Sequence, residues 1–134
     1  MILSDRRPSA AEAASLRSVT GWGAVDEAAL ARSLAASPHC LSAWDGARLI
    51  GMVRTVGDGV MYLYVQDLIV DPAHRGQGIA EALMERLMRT IRAEAPAGLT
   101  VGLMAVAGLE PFYARHGFAA RPEGRYGAGM TLFL

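Results

Sequence analysis

Leu68-Ile69-Val70-Asp71-Pro72-Ala73-His74-Arg75-Gly76-Gln77-Gly78-Ile79-Ala80 is the stretch on which the fold turns. Its start closes a β-branched and aromatic run, Val60 to Val70, long enough to cross the centre of a sheet before Asp71-Pro72 stops it. Its end opens the longest helix of the chain. There Ala80, Leu83, Met84, Leu87, Met88 and Ile91 recur at three and four, while Arg86, Arg89 and Arg92 take the other face. A buried strand that feeds a helix and then a further strand, read at Thr100 to Val106, makes a right-handed crossover with the two strands parallel. Ligands collect outside the carboxyl ends of strands in such sheets, so the turn after Val70 is the favoured place for one.

Upstream, Ser9 followed by Glu12 reads as a capping box with Ala13, Leu16 and Val19 at helical spacing behind it, and Gly21-Trp22-Gly23 ends that helix. Asp26 caps a second helix through about Ala36, before Pro38. From Cys40 to Val56 two apolar runs flank Asp45-Gly46, a pair suited to a tight hairpin, and Gly57-Asp58-Gly59 repeats the signal. Downstream, Leu109 to His116 reads as a short helix closed by Gly117, and Phe118 onward as a pair of strands around Gly124 to Gly129. The element order is ααβββαβαββ, with a small strand at Ile2 to Ser4. The fold class is α/β, an α+β arrangement around one mixed sheet. No repeat or linker interrupts it, so residues 1–134 form one domain.

The composition narrows the partners. Apolar residues make up 52% of the chain, enough for one continuous core, and 13 basic residues balance 13 acidic ones. No long-range attraction is left for nucleic acid or an anionic membrane, so a partner is chosen by a local site. Cys40 has no partner for a disulfide, and Met1 to Pro8 carry charges where a secretory signal needs an apolar run, so a cytoplasmic setting is expected. His39, His74 and His116 lie far apart without ligand-type spacing and read as surface residues, so no metal is expected. Cys40 reads as a small buried hydrophobe.

The turn itself carries chemistry. Amide hydrogens at a helix start have no intrahelical acceptors, and the helix dipole adds positive character, so a phosphate placed there is bound by the backbone. Glycine at 76 and 78 and the small Ala80 clear the approach, and Arg75 adds a formal charge. A P-loop needs Gly-Lys-Ser/Thr at the helix start, whereas Gly78 is followed by Ile79 and Ala80. A dinucleotide fingerprint needs a third glycine where Glu81 stands, and that charge would repel a pyrophosphate if it faced the turn.

Arg75-Gly76-Gln77-Gly78-Ile79-Ala80 resembles the Gln/Arg-x-x-Gly-x-Gly/Ala signature of the GCN5-related N-acetyltransferase (GNAT) superfamily, and Leu68-Ile69-Val70-Asp71-Pro72 is similar to its lead-in. Phe112-Tyr113-Ala114-Arg115-His116-Gly117-Phe118 is similar to the family's Phe-Tyr-x-x-x-Gly-Phe block. The resemblance implies a GNAT fold, a mostly antiparallel, twisted sheet of six to seven strands flanked by about four helices. It implies transfer of an acetyl group from acetyl-coenzyme A to a primary amine by direct attack in a ternary complex, without a metal. Acetylation of a protein or peptide and a catalytically idle coenzyme A-binding module are the alternatives. The acceptor is then a small amine or a peptide, and a homodimer through late strands is compatible with the apolar Met130 to Leu134.

By the same resemblance, the amides of Arg75, Gly76, Gln77, Gly78, Ile79 and Ala80 hold the pyrophosphate. Backbone groups of Leu68, Ile69 and Val70 pair with pantetheine, and an amide near Ile69 meets the oxyanion. Tyr113 takes the position whose hydroxyl faces the cofactor sulfur, which makes it the general acid and a cofactor contact; without the resemblance it reads as one more inward aromatic beside Phe112. The window for the general base holds Tyr64, Gln66 and Asp67. Alternation puts Tyr64 and Gln66 on one face and Asp67 on the other unless a bulge intervenes. Asp67 is the base by type, if desolvation raises its pKa, and a hydrogen-bonded strut is its other reading. The first two helices wall the acceptor site in this family, so Trp22 is a candidate substrate contact, as are Tyr126 and Met130; core packing is the alternative for each. Many relatives carry Asn seven residues before the tyrosine to hold pantetheine, and here that residue is Val106.

Overall fold

Two tight turns lay down the centre of the sheet. In the computed structural model, which describes residues 1–134, β2 (Cys40–Asp45) returns through Gly46 into β3 (Arg48–Gly57), and β3 returns into β4 (Tyr62–Val70). The second turn is fixed by Asp58, whose Oδ1 accepts the backbone N–H groups of Val60, Met61 and Tyr62 at 2.8, 2.9 and 3.0 Å. Only glycine fits at 57. Its φ is 125°, and a Cβ there would stand 2.4 Å from the Tyr62 carbonyl oxygen.

Strand β1 (Ile2–Ser4) pairs antiparallel with β2, and β5 (Thr100–Gly102) pairs parallel with β4, giving the order β1-β2-β3-β4-β5. The parallel pair is the crossover expected from the sequence. The strand count is five where six to seven were expected. The run from Thr100 stops at Gly102 instead of Val106, and the pair expected after Phe118 is reduced to one bridge between Glu123 and Tyr126. A strand exists only where a neighbour takes up its backbone groups, and these runs have none in the chain.

Helices α1 (Ala10–Arg17) and α2 (Glu27–Ala36) lie on one face of the sheet, and α3 (Ile79–Glu94) lies on the other, with the short α4 (Glu110–Ala114) beside it. The capping box forms as read: Ser9 Oγ accepts from Glu12 N at 3.1 Å while Glu12 Oε1 accepts from Ser9 N at 2.9 Å. Asp26 accepts from Ala29 N at 2.9 Å. Each such cap is worth about 1 kcal/mol.

The core has two parts because the sheet has two faces. Ile79, Leu83, Met84, Leu87, Met88 and Ile91 of α3 pack on Leu41, Ile50, Val53, Leu63 and Val65. Ala13, Leu16, Leu30 and Leu34 pack on Cys40, Trp44, Leu49, Met52 and Ile69. Burying one such large side chain stabilises the fold by roughly 1.5–3 kcal/mol. Gly51 sets how closely α3 sits: a Cβ there would meet Ile79 Cγ2 at 3.1 Å and Leu83 Cδ1 at 3.3 Å. Cys40 is buried as expected, and burial pushes its thiol pKa up. No helix is long and apolar enough to cross a membrane.

Candidate active site

Strand β4 has two halves. Tyr62, Leu63 and Tyr64 pair with Thr100, Val101 and Gly102 of β5, and beyond Tyr64 that pairing ends. On its other edge β4 stays paired with β3 as far as Val70. The edge from Gln66 to Val70 that faced β5 therefore has no strand beside it, and it runs straight into the turn at the head of α3.

At that head the backbone donors are free. The N-cap of α3 is Gly78, with φ 78° and no side-chain cap, and Gly76 has φ 77°. None of the amides of Gly76, Gln77, Gly78, Ile79, Ala80 and Glu81 donates to a backbone acceptor in the chain; the first amide of the helix to do so is Ala82, which reaches Gly78 O at 3.0 Å. A Cβ on Gly76 or Gly78 would meet nothing within 4 Å, so the glycines serve the left-handed backbone that turns these amides to one side. The Arg75 amide, expected among them, is instead taken up by Pro72 O at 3.4 Å, and the Arg75 side chain is exposed beside the turn. Unpaired amides, the positive end of a helix dipole and a guanidinium make an anion cradle.

Glu81 does not oppose that field, because it faces away from the turn. Its carboxylate accepts Arg115 NH2 at 3.2 Å and lies 3.3 Å from His116 Nε2. This pair ties the first turn of α3 to α4, whose Tyr113 packs against the α3 core. His116 is thus buried, not on the surface as its spacing suggested.

The centre of β4 is bent by Asp67. Its φ of 52° marks a bulge, and the register with β3 shifts between Met52 and Arg54 opposite it. Leu63 and Val65 face α3, and so do Leu68 and Val70, while Ile69 faces α1 and α2. The bulge therefore brings Asp67 to the same face as Tyr64 and Gln66, against the plain alternation. Its carboxylate is not free: Arg17 NH1 from α1 donates to Oδ1, and Arg54 Nε donates to Oδ2 at 2.7 Å. Arg54 also donates to Ser33 Oγ on α2 at 2.7 Å and to Ser37 Oγ, the residue that caps the end of that helix, at 3.1 Å. Of the two readings of Asp67, base and hydrogen-bonded strut, the geometry matches the strut, with a guanidinium on each oxygen.

Across the gap, Tyr113 on the α3 face meets Phe112 edge-on at 5.1 Å and Phe118 edge-on at 6.3 Å. Burial raises the pKa of the Tyr113 phenol, and burial likewise raises that of Tyr64. Both are neutral proton donors in the neutral range.

An acetyltransferase (GNAT) domain model matches residues 10–133. The chain belongs to the GNAT acetyltransferase family. Over 77 residues this GNAT domain is 40% identical to the histone acetyltransferase TAP1 of Glycine max, a match covering 58% of this chain and 32% of that protein. It spans about a third of the length of the curated relatives it matches. A probable acetyltransferase of meticillin-resistant Staphylococcus aureus superposes with a TM-score of 0.88 at 25% identity, covering 99% of this chain and 98% of that one. A GNAT family protein of Streptococcus pneumoniae does so at 0.80 and 27%, covering 99% and 96%.

The GNAT domain brings some expected residues together and leaves others apart. Trp22, in the loop after α1, lies over the Arg17 guanidinium at 5.4 Å and so joins the Asp67 cluster. Tyr126 is held instead between Arg121 and Arg125, at 5.0 and 5.1 Å, and Met130 projects from the surface. Val106 is exposed. Three contributors escaped the sequence reading: Arg17, Arg54 and Gly51. Arg54 had a signal, a charged residue inside the apolar run Leu49 to Val56, which a fully buried strand tolerates only with a partner. Arg17 and Gly51 had none.

Proposed function

We propose that this GNAT domain transfers an acetyl group from acetyl-coenzyme A to a primary amine, by direct attack with both substrates bound. The observation that carries it is continuity: a free strand edge from Gln66 to Val70 leads into unpaired amides from Gly76 to Glu81. A ligand with amide groups along its arm and a diphosphate at its end fits both. Leu68, Ile69 and Val70 would pair with the arm, and Arg75, Gly76, Gln77, Gly78, Ile79 and Ala80 would hold the diphosphate. When bound, acetyl-coenzyme A supplies the activated thioester. The chain supplies placement, which contributes roughly 7–11 kcal/mol in favourable cases.

Tyr113 is the acid that gives a proton to the departing sulfur, and a main-chain amide near Ile69 meets the developing negative charge. On the acceptor side Asp67 is engaged, Tyr64 is a neutral phenol and Gln66 does not ionise. The amine therefore loses its proton to solvent, with Tyr64 and Gln66 as hydrogen-bonding groups and Asp67 as a positioning residue. Trp22 walls the acceptor, a small amine or the amine of a peptide.

Calorimetric titration with coenzyme A, and thiol release from acetyl-coenzyme A against a panel of amines and peptides, test this. Uptake with release for at least one amine is expected. Absence of uptake removes the reading, and uptake without transfer to any amine leaves a coenzyme A-binding module.

A further inference from the structure

Within the Asp67 cluster the two arginines are not equally occupied. Arg54 meets Asp67 Oδ2 at 2.7 Å and the Ser33 and Ser37 hydroxyls at 2.7 and 3.1 Å, and its side chain is 9% exposed. Of the three guanidinium nitrogens of Arg17, only Nη1 donates within the chain, to Asp67 Oδ1; Nε is enclosed without an acceptor, and Nη2 has none either. The Arg17 side chain is 19% exposed, so solvent reaches it, whereas Asp67 beneath it is closed off at 2%. A largely buried donor without an acceptor is costly, and a guanidinium presents its N–H groups as a planar fork that matches a carboxylate.

The charges are unequal in the same place. Two guanidiniums share one carboxylate, and no second acidic side chain pairs with either, so the cluster keeps one formal positive charge unmet. Trp22 lies over one face of Arg17, its ring centroid 5.4 Å from Cζ, which leaves the edge of the guanidinium for an incoming group. Asp67 precedes Ile69 by two positions, roughly 7 Å of strand. An anion held at Arg17 and an amine at the thioester beside Ile69 are therefore within reach of one small molecule.

We propose that Arg17 holds a carboxylate of the acceptor, so that the substrate is a primary amine that also carries an acid group, as an amino acid or an acidic peptide does; this rests on the acetyl-transfer reading above. Trp22 covers the face of the guanidinium, the carboxylate takes its edge, and the amine points along β4 toward Ile69. An uncharged amine leaves the positive charge unmet, and a polyamine brings a second cation against it.

Two readouts separate this proposal from the reading it rests on. Glycine, β-alanine and 4-aminobutyrate are each compared with their own amides. Tryptophan fluorescence of the full chain with coenzyme A present reports binding beside Trp22, and kcat/KM at equal concentration of unprotonated amine reports transfer. For at least one pair the acid should give a saturable change in emission and a kcat/KM roughly tenfold to a hundredfold above its amide. Arg17→Gln should bring that ratio to about one, and Arg17→Lys, which keeps the charge and loses the fork, should retain part of it. Acids and amides that perform alike in the parent, or a preference that survives Arg17→Gln, overturn the proposal. If Arg17→Gln fails to fold, the comparison of acid with amide in the parent decides. Absence of transfer to every amine defeats the acetyl-transfer reading, and the emission titration then decides the carboxylate site: a change with acids alone supports it, and no change with either overturns it.

Discussion

Arg54 Nε donates to Asp67 Oδ2 across 2.7 Å, from the middle of β3 to the bulge of β4, while Arg17 of α1 takes the other oxygen. One carboxylate thereby fastens a helix and a strand to the point where β4 loses its β5 neighbour. Its removal leaves two arginines facing each other in a largely buried setting, and breaking a buried pair costs about 3–5 kcal/mol. Asp67→Asn should show that loss in chemical denaturation. Asp67→Ala should lose roughly 1–2 kcal/mol more, because Asn tolerates the left-handed backbone at φ 52° better than Ala. Under conditions where Asp67→Asn stays folded, turnover should remain within about tenfold of the parent; a fall of three orders of magnitude there would make Asp67 the base after all.

Tyr113 makes a separable prediction. Tyr113→Phe keeps the ring that packs on Phe112 and Phe118 and removes only the hydroxyl, so kcat should fall about 10²–10⁴-fold while coenzyme A affinity holds. Burial disfavours the phenolate, so the acid form persists above the ordinary tyrosine range near 10. The alkaline loss of kcat in the parent should begin above that pH and vanish in the variant. An alkaline limb near neutrality that Tyr113→Phe leaves in place assigns the acid elsewhere.

The proposed mechanism uses no base on β4, so in it the acceptor arrives unprotonated. Log kcat/KM should rise with pH up to the pKa of the amine itself, and the break should move when amines of different basicity are compared. A break at one pH for every amine points to an ionising group of the protein.

The head of α3 offers a pair of tests that differ in kind. Gly78→Ala strains a residue at φ 78°, costing about 1–2 kcal/mol of stability, and turns amides away from the ligand, so coenzyme A should bind about tenfold or more weakly. Gly51→Ala never touches the ligand. It presses on Ile79 and Leu83 and should weaken coenzyme A by displacing the helix head. Normal affinity in Gly51→Ala would show that the helix re-seats without moving its amides.

Much of the site was readable because its means are local. Paired glycines, a strand before them and a heptad-like apolar stripe after them are all encoded within some thirty positions, and the amides of Gly76 to Ala80 follow from that order alone. Asp67 shows where local reading stops. Alternation put it on the face opposite Tyr64 and Gln66 unless a bulge intervened, and only the register against β3 reveals that bulge. The carboxylate's partners lie at Arg17 and Arg54, one of them fifty positions away, and no periodicity announces such a pairing.

The amino-acid sequence by itself determined the helices, the two hairpins joining β2, β3 and β4 and the glycine turn at the head of α3, because caps, turn glycines and apolar spacing act between near neighbours along the chain. Tertiary structure alone decided where β4 and β5 part, which face Asp67 takes and that the segment after Tyr126 finds no strand to join. Those outcomes depend on which distant backbone groups meet, and pairing between strands is a property of two segments that neither carries in its own residues.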